Sequence, residues 1–216
     1  MIGLVKKDIY LLKDISKVFG LMIILEIVVL FVEGSVDFVL GYMTIFSAMM
    51  IINTVSYDEK SMGFLLTLPI SRKQYVAEKY LFGFVAGILL EVFNVGIVLI
   101  YFVMNQAAVD WNEFGTKIGI YFGIMLLAQV IVLPVLLKFG AEKARIIIII
   151  VFMGGFILAV KLMDFIFQSN ADLKGQVVMF MTNNTGAAAA IGVAAELLCI
   201  VISVFISMKT AEHKEY

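Results

Sequence analysis

The sequence predicts an all-α membrane protein with six transmembrane helices, and three observations lead to that fold class. Hydrophobic residues make up 62% of the 216 residues and charged residues only 15%, a balance that would leave large apolar patches on a water-soluble globule. Six apolar blocks approach the roughly 20 residues that a helix needs to cross the hydrocarbon core. Uninterrupted runs such as Ile146–Val151 exclude the polar and apolar alternation of a membrane β-barrel.

The six predicted spans follow one another within a single transmembrane domain, residues 1–216. In chain order they are Val18–Val32, Val36–Ser56, Leu81–Met104, Thr116–Leu137, Ile146–Val160 and Ala187–Met208. The connection Glu33–Asp37 is so short that the first two spans must be antiparallel neighbours.

Residues 1–17 predict an amphipathic helix that lies in the membrane interface and forms an elbow before the first span. Its apolar stripe at helical spacing consists of Ile2, Val5, Ile9, Leu12 and Ile15. The charged positions away from that stripe are Lys6, Lys7, Lys13 and Asp14. The alternative is a basic flank that does no more than orient the first span.

The distribution of basic residues predicts the orientation of the chain. Thirteen of the sixteen lysines and arginines lie before the first span, between the second and third, between the fourth and fifth, or after the sixth. The positive-inside rule then places both termini in the cytoplasm, together with the sizeable connection between the second and third spans.

That connection, YDEKSMGFLLTLPISRKQYVAEKY at residues 57–80, is the longest stretch with charges of both signs. Asp58 and Glu59 suit the positive end of a short helix, and Pro69 ends it because proline lacks an amide hydrogen. Ser71, with Gln74 three residues later, predicts a capping box that opens the helix of the third span. The pattern therefore predicts a short amphipathic helix, a rigid break and a transmembrane helix. An ordinary charged loop is the alternative.

The same segment carries a resemblance to a known family. Tyr57-Asp58-Glu59-Lys60, then the run from Thr67 to Lys73, Val76 and Lys79-Tyr80 resemble the matching segment of small six-span ABC-2 type permeases. These are similar to the membrane subunits of bacterial ABC exporters, including those that expel antimicrobial peptides and phenol-soluble modulin toxins.

The resemblance implies that residues 57–73 contain a coupling helix that docks on a separate cytoplasmic ATPase subunit. It also implies the amino-terminal elbow helix and a second permease copy, as a homodimer or a heterodimer. The implied ATPase-docking residues are Tyr57, Asp58, Glu59, Lys60, Phe64, Leu65, Leu68, Pro69, Ser71, Arg72 and Lys73.

The chain lacks the motifs of an enzyme. No G-x-x-x-x-G-K-[ST] is present to cradle nucleotide phosphates, so ATP and Mg are expected on the partner subunit and no cofactor on this chain. The single cysteine, Cys199, and the single histidine, His213, cannot form a common zinc site. Neither a G-x-S-x-G motif nor a nucleic-acid-binding pattern is evident. The prediction is a non-enzymatic transport subunit.

Three acidic residues lie inside predicted spans, namely Glu26, Glu91 and Glu196. An unpaired carboxylate in the bilayer costs about 2.5 kcal/mol or more, so each should face protein or water. We predict that the three line a path for a cationic or amphipathic substrate. The alternative is that each is a neutral acid bonded across a helix interface, with Asn94 as one candidate partner.

Small residues predict where helices approach closely. Gly83 and Gly87 in the third span, and Gly115, Gly119 and Gly123 in the fourth, have the four-residue spacing that lets helix backbones meet.

The sequence thus predicts the membrane subunit of an ATP-driven exporter in the bacterial plasma membrane, which moves an amphipathic molecule such as a peptide toxin or antimicrobial out of the cell. A second hypothesis is an ion-coupled secondary transporter or channel that uses the buried glutamates, with inverted repeats in spans one to three and four to six. A third is a membrane assembly factor or sensor subunit that transports nothing.

Overall fold

The computed structural model describes residues 2–60, 71–106, 108–169, 175–176, 179 and 184–213, and in these ranges the architecture is all-α. The helices are α1 (Ile2–Glu33), α2 (Val36–Lys60), α3 (Arg72–Met104), α4 (Trp111–Phe139), α5 (Ala141–Ser169) and α6 (Thr185–His213). Each of α2 to α6 contains a segment long and apolar enough to cross a membrane, and the two arms of α1 together supply a sixth. The predicted fold class is confirmed.

Helix α1 has two arms with different directions. Its axis turns by 67° between Lys6–Lys13 and Ser16–Glu33, so the amino-terminal arm lies at an angle to the rest of the helix, as an elbow helix does. Leu12 is partly buried, and Lys6 and Lys13 are exposed. The side chains of Ile2, Val5, Asp14 and Ile15 lie outside the described residues.

The predicted hairpin between the first two spans is confirmed by the turn at Gly34. This residue has a φ of +67°, a conformation that glycine adopts without the steric cost that a Cβ atom brings. Its amide donates to the carbonyl of Leu30 at 2.9 Å and closes α1. Helices α1 and α2 therefore run antiparallel.

The start of the α2–α3 connection differs from the prediction. Helix α2 continues without a break to Lys60, so Asp58 and Glu59 belong to its last turn and do not begin a new helix. The predicted short helix and its proline break fall on residues 61–70, which lie outside the described residues.

The predicted capping box at the start of α3 is confirmed. The Ser71 hydroxyl oxygen accepts a hydrogen bond from the amide of Gln74 at 3.2 Å. In return, the Gln74 side-chain oxygen accepts one from the amide of Ser71 at 3.1 Å. Because two amides at the helix end are satisfied in this way, α3 has a defined first residue.

Helix α4 lies at the centre of the bundle. It packs against α2, α3, α5 and α6, whereas α1 packs against α2 and α3. One buried apolar cluster contains residues of all five helices from α2 to α6, including Val55, Val76, Leu136, Ala144 and Ala211. A second cluster, towards the opposite ends of the helices, contains residues of α1, α2, α3 and α4.

Glycines on α3 allow it to approach its neighbours closely, as predicted. A Cβ atom on Gly87 would lie 2.7 Å from Nε2 of Gln129 and 2.8 Å from Sδ of Met125, both on α4. One on Gly83 would lie 2.9 Å from Cδ1 of Ile51 on α2. In α4, Gly123 faces α6, while Cβ atoms on Gly115 and Gly119 would meet nothing within 4 Å in the described chain.

Candidate functional site

Charged side chains join the helix ends at one end of the bundle, which we call the charged end. Asp8 of α1, Asp58 of α2 and Lys79 of α3 meet there. Glu59 of α2 contacts the first residue of α5, and Arg72 of α3 contacts the last turn of α6. The starts of α1, α3 and α5 and the ends of α2, α4 and α6 therefore lie together.

A buried ionic cluster holds α1, α2 and α3 to one another. Nζ of Lys79 lies 2.7 Å from Oδ2 of Asp58 and donates to Oδ2 of Asp8. All three side chains are at most 1% exposed. Lys7 donates to Oδ1 of Asp58 and lies 3.3 Å from Oδ1 of Asp8. Since water does not screen these charges, losing one partner would leave the others buried and uncompensated.

Glu78 adds a third carboxylate to this cluster. It is fully buried, and its Oε2 lies 3.7 Å from Nζ of Lys79. Neither carboxylate oxygen of Glu78 has a hydrogen-bond partner among the described residues. The cluster therefore sets three carboxylates against two lysines, and it carries one excess negative charge when every group is ionised.

The ionic cluster spans the connection between α2 and α3. Asp58 lies two residues before the end of α2 at Lys60, and Lys79 lies in the second turn of α3. The Asp58–Lys79 pair consequently links the two ends of residues 61–70. A displacement of that connection would act on α2 and α3 together, and on α1 through Asp8.

Glu59 links the same end of α2 to the turn between α4 and α5. Its Oε2 accepts from the amide of Ala141 at 2.7 Å, at the positive end of the α5 dipole. Gly140 has a φ of +79°, and a Cβ atom there would lie 3.0 Å from Oε1 of Glu59. An acid that is unfavourable at the end of its own helix thus stabilises the start of another.

Arg72 fixes the start of α3 to the end of α6. Its Nη1 donates to the carbonyl of Glu212 at 2.8 Å and to that of Ala211 at 3.3 Å. Nζ of the neighbouring Lys73 lies 2.9 Å from Oε1 of Glu212. A cation at the last carbonyls of a helix also suits the negative end of its dipole.

The predicted docking residues occupy different positions in this arrangement. Tyr57, Lys60, Ser71 and Lys73 are exposed at the charged end, and Glu59 and Arg72 are partly buried. The carboxylate of Asp58 is buried against Lys79 and Lys7. The remaining predicted docking residues, Phe64, Leu65, Leu68 and Pro69, lie outside the described residues.

Two of the three predicted intramembrane acids lie close together. Glu26 of α1 is fully buried, and its Oε1 accepts a hydrogen bond from Nδ2 of Asn94 on α3. Asn94 also donates to the carbonyl of Val39 on α2 at 3.0 Å. Glu91 lies one turn before Asn94 on α3, is 4% exposed, and has no hydrogen-bond partner on its carboxylate among the described residues.

Glu196 lies at a different interface. Its carboxylate packs against Gly123 where α6 meets α4, and its side chain is partly buried. The structure therefore brings Glu26 and Glu91 together between α1 and α3, and it places Glu196 on the other side of α4.

A proline in α4 creates a second polar junction. Pro134 has no amide hydrogen, so the carbonyl of Val130, four residues earlier, has no donor within its own helix. The hydroxyl of Ser203 on α6 donates to that carbonyl at 2.6 Å. The same hydroxyl lies 2.5 Å from that of Tyr80 on α3, which is also 2.9 Å from Ser207. Helices α3, α4 and α6 are thus joined at one point.

Sequence reasoning missed Asp8, Glu78 and the Pro134–Ser203 junction. Asp8 carried a usable signal, since it lies three residues after Val5 and four before Leu12, on the apolar stripe itself. A charge on such a stripe requires a buried partner. Lys7, placed by the stripe on the solvated face, instead contacts Asp58.

The site offers no place for a metal among the residues that the structure describes, where no group of three or more histidine, cysteine, aspartate or glutamate side chains has the arrangement to hold one.

One comparison with known proteins gives a match. The family model described as "ABC-2 family transporter protein" matches residues 3–212, which include all of α2 to α5 and nearly all of α1 and α6. No curated protein and no solved structure matches the chain.

Proposed function

Because the chain belongs to the ABC-2 family of transporter proteins, we propose that a separate cytoplasmic ATPase drives it by binding the α2–α3 connection at the charged end. The family consists of membrane-spanning transport subunits, so this multi-pass protein is the membrane part of an ABC transporter. The observation that carries the proposal is the Asp58–Lys79 pair, which links both ends of the connection within a buried cluster.

The contacts at the charged end define how force would spread from the connection. Movement of residues 61–70 acts on α1 through Asp8, on α5 through Glu59 and on α6 through Arg72. Nucleotide binding to the ATPase must favour one of two membrane arrangements, since a ligand shifts an equilibrium only by its differential affinity for the two states. The connection is the place where that preference enters the membrane subunit.

In this proposal the transporter exports an amphipathic molecule, of the peptide toxin or antimicrobial class, from a bacterial cell with both termini of the chain in the cytoplasm. The resemblance of residues 57–80 supports the class of transporter, and the acids Glu26, Glu91 and Glu196 support a path for a cationic substrate. A second permease copy completes the transporter. The apolar faces of α5 and α6, whose membrane segments are each 6% buried, offer it a surface.

Co-purification tests the ATPase partner. We would express the tagged chain together with a candidate ABC ATPase subunit and measure retention of the ATPase and its rate of ATP hydrolysis. We expect retention by the natural chain and loss with Phe64→Asp, because an acid would disrupt an apolar docking contact. The control is Trp111→Asp, an exposed position at the opposite end of the bundle. Equal retention by the natural chain, Phe64→Asp and an unrelated membrane protein would refute the proposal.

Transport in vesicles tests the substrate path. Glu91→Gln keeps the shape of the side chain and removes its charge, so uptake of a cationic amphipathic peptide into inverted vesicles should fall several-fold. Glu113→Gln, at the exposed start of α4, is the matched control. Unchanged peptide uptake by Glu91→Gln would remove this glutamate from the path. Uptake driven by an ion gradient without any ATPase would support the secondary-transporter hypothesis instead.

A further inference from the structure

An apolar groove of about 350 Å³ lies between the amino-terminal arm of α1 and the first half of α3. Ile9 and Leu12 of α1, Met50 of α2 and residues of α3 from Leu81 to Leu90 line it. Met50 is buried and closes the groove towards the bundle, whereas Val85 is 48% exposed and leaves it open towards the membrane. The groove is therefore accessible from the hydrocarbon and lined by apolar side chains.

The length of the groove matches one leaflet of a bilayer. From Leu81 to Leu90 the helix rises about 14 Å at 1.5 Å per residue, close to half of the roughly 30 Å hydrocarbon core. The groove begins directly after Lys79 and Tyr80, at the depth of the ionic cluster. It thus runs from the charged end towards the middle of the membrane, as an acyl chain does.

Two basic residues of the amino-terminal arm flank Ile9, which lines this groove. Lys6 and Lys13 lie three residues before and four residues after Ile9, so both border the apolar stripe on the side of Ile9 that faces away from Leu12. Both lysines are exposed. Asp8, whose side chain is the acidic one that the structure describes on the same arm, accepts a hydrogen bond from Lys79. The groove therefore combines an apolar channel of leaflet length with two cations at its headgroup end.

We propose that this groove binds one acyl chain of an anionic phospholipid, whose phosphate lies beside Lys6 and Lys13. The bound lipid packs against the amino-terminal arm on the side that the ionic cluster does not contact. A phospholipid fits better than a second permease copy, because the groove is concave, has the length of a leaflet and ends at two cations. Binding of the lipid to this groove does not require the ATPase.

Lipid retention measures this binding directly. The full chain is placed in nanodiscs with equal amounts of phosphatidylglycerol and phosphatidylethanolamine. The protein is then released from the nanodiscs, and native mass spectrometry identifies the lipids that stay bound to it. Each lysine near an anionic headgroup favours binding roughly fivefold, so retained phosphatidylglycerol should clearly exceed phosphatidylethanolamine. Lys6→Gln with Lys13→Gln should abolish that preference and keep some bound lipid. Val85→Trp, which fills the groove, should lower retention of both lipids.

Matched variants separate this site from general contact with lipid. Ile120→Trp, at an exposed position on α4, and Lys143→Gln, at the start of α5, should leave both retention and preference unchanged. Equal retention by the natural chain and Val85→Trp would overturn the proposal, as would an unchanged lipid preference after loss of both lysines. In a Cys199→Ser background, efficient disulfide formation between copies carrying Val85→Cys would identify a second permease copy as the occupant and would also overturn the proposal.

Discussion

The two ends of α5 and α6 have very different surroundings. At the charged end, Ala144 and Ala211 belong to the buried core, and α5 begins at an amide held by Glu59. Towards their other ends both helices are almost entirely exposed, and 6% of each membrane segment is buried, compared with 50% in α4. The difference shows that α5 and α6 are held to the bundle at the charged end, while their opposite halves present exposed apolar surface.

Removing the central cation of the charged end should have the largest effect. Lys79→Met leaves Asp8 and Asp58 buried with fewer partners, and breaking such a pair costs about 3–5 kcal/mol. We expect a lower midpoint of thermal unfolding in detergent and early loss of the monodisperse protein. Adding Asp58→Asn to the variant should recover part of the loss, because it removes one uncompensated carboxylate.

The matched control lies at the opposite end of the bundle. Lys117 pairs with Asp37 and Glu113 on a solvated surface, so Lys117→Met removes the same charge from exposed partners. It should leave the unfolding midpoint unchanged. If the two methionine variants were equally stable, the charged end would hold the helices no more firmly than the opposite end does.

Overpacking the interface between α3 and α4 should cause the next largest loss of stability. Gly87→Leu pushes against Met125 and Gln129 in a closely packed interface, and such overpacking costs about 1–3 kcal/mol. Gly96→Leu, nine residues further along the same helix, meets open space and should change stability little. Equal unfolding midpoints for these two leucine variants would contradict the close approach of α3 to α4.

The junction at Pro134 allows a double-mutant test with a smaller expected effect. Ser203→Ala leaves the Val130 carbonyl without a donor and should cost about 1–2 kcal/mol of unfolding free energy. In a Pro134→Ala background the same serine substitution should cost less, because the amide of Ala at position 134 then satisfies that carbonyl. Additive losses in the two backgrounds would show that proline and serine act independently.

The features that follow local rules could be predicted from the sequence. The length of the apolar blocks predicted the helices, the short Glu33–Asp37 connection predicted the hairpin, and the spacing of Ser71 and Gln74 predicted the capping box. The ionic cluster could not be predicted, because Asp8 and Lys79 are 71 residues apart and no periodicity relates them. The acids Asp58 and Glu59 were assigned to a new helix because their true partners, Lys79 and the α5 amide, are long-range contacts.

We expect the charged end to face the cytoplasm, where an ATPase can reach the α2–α3 connection. Cysteine labelling tests it most directly, in a Cys199→Ser background that removes the exposed native thiol. With Lys73→Cys at the charged end, a membrane-impermeant maleimide should label inverted vesicles and spare intact cells. With Asn112→Cys at the opposite end, it should label intact cells. Labelling of the cysteine at position 73 from outside intact cells would contradict a cytoplasmic location of the charged end.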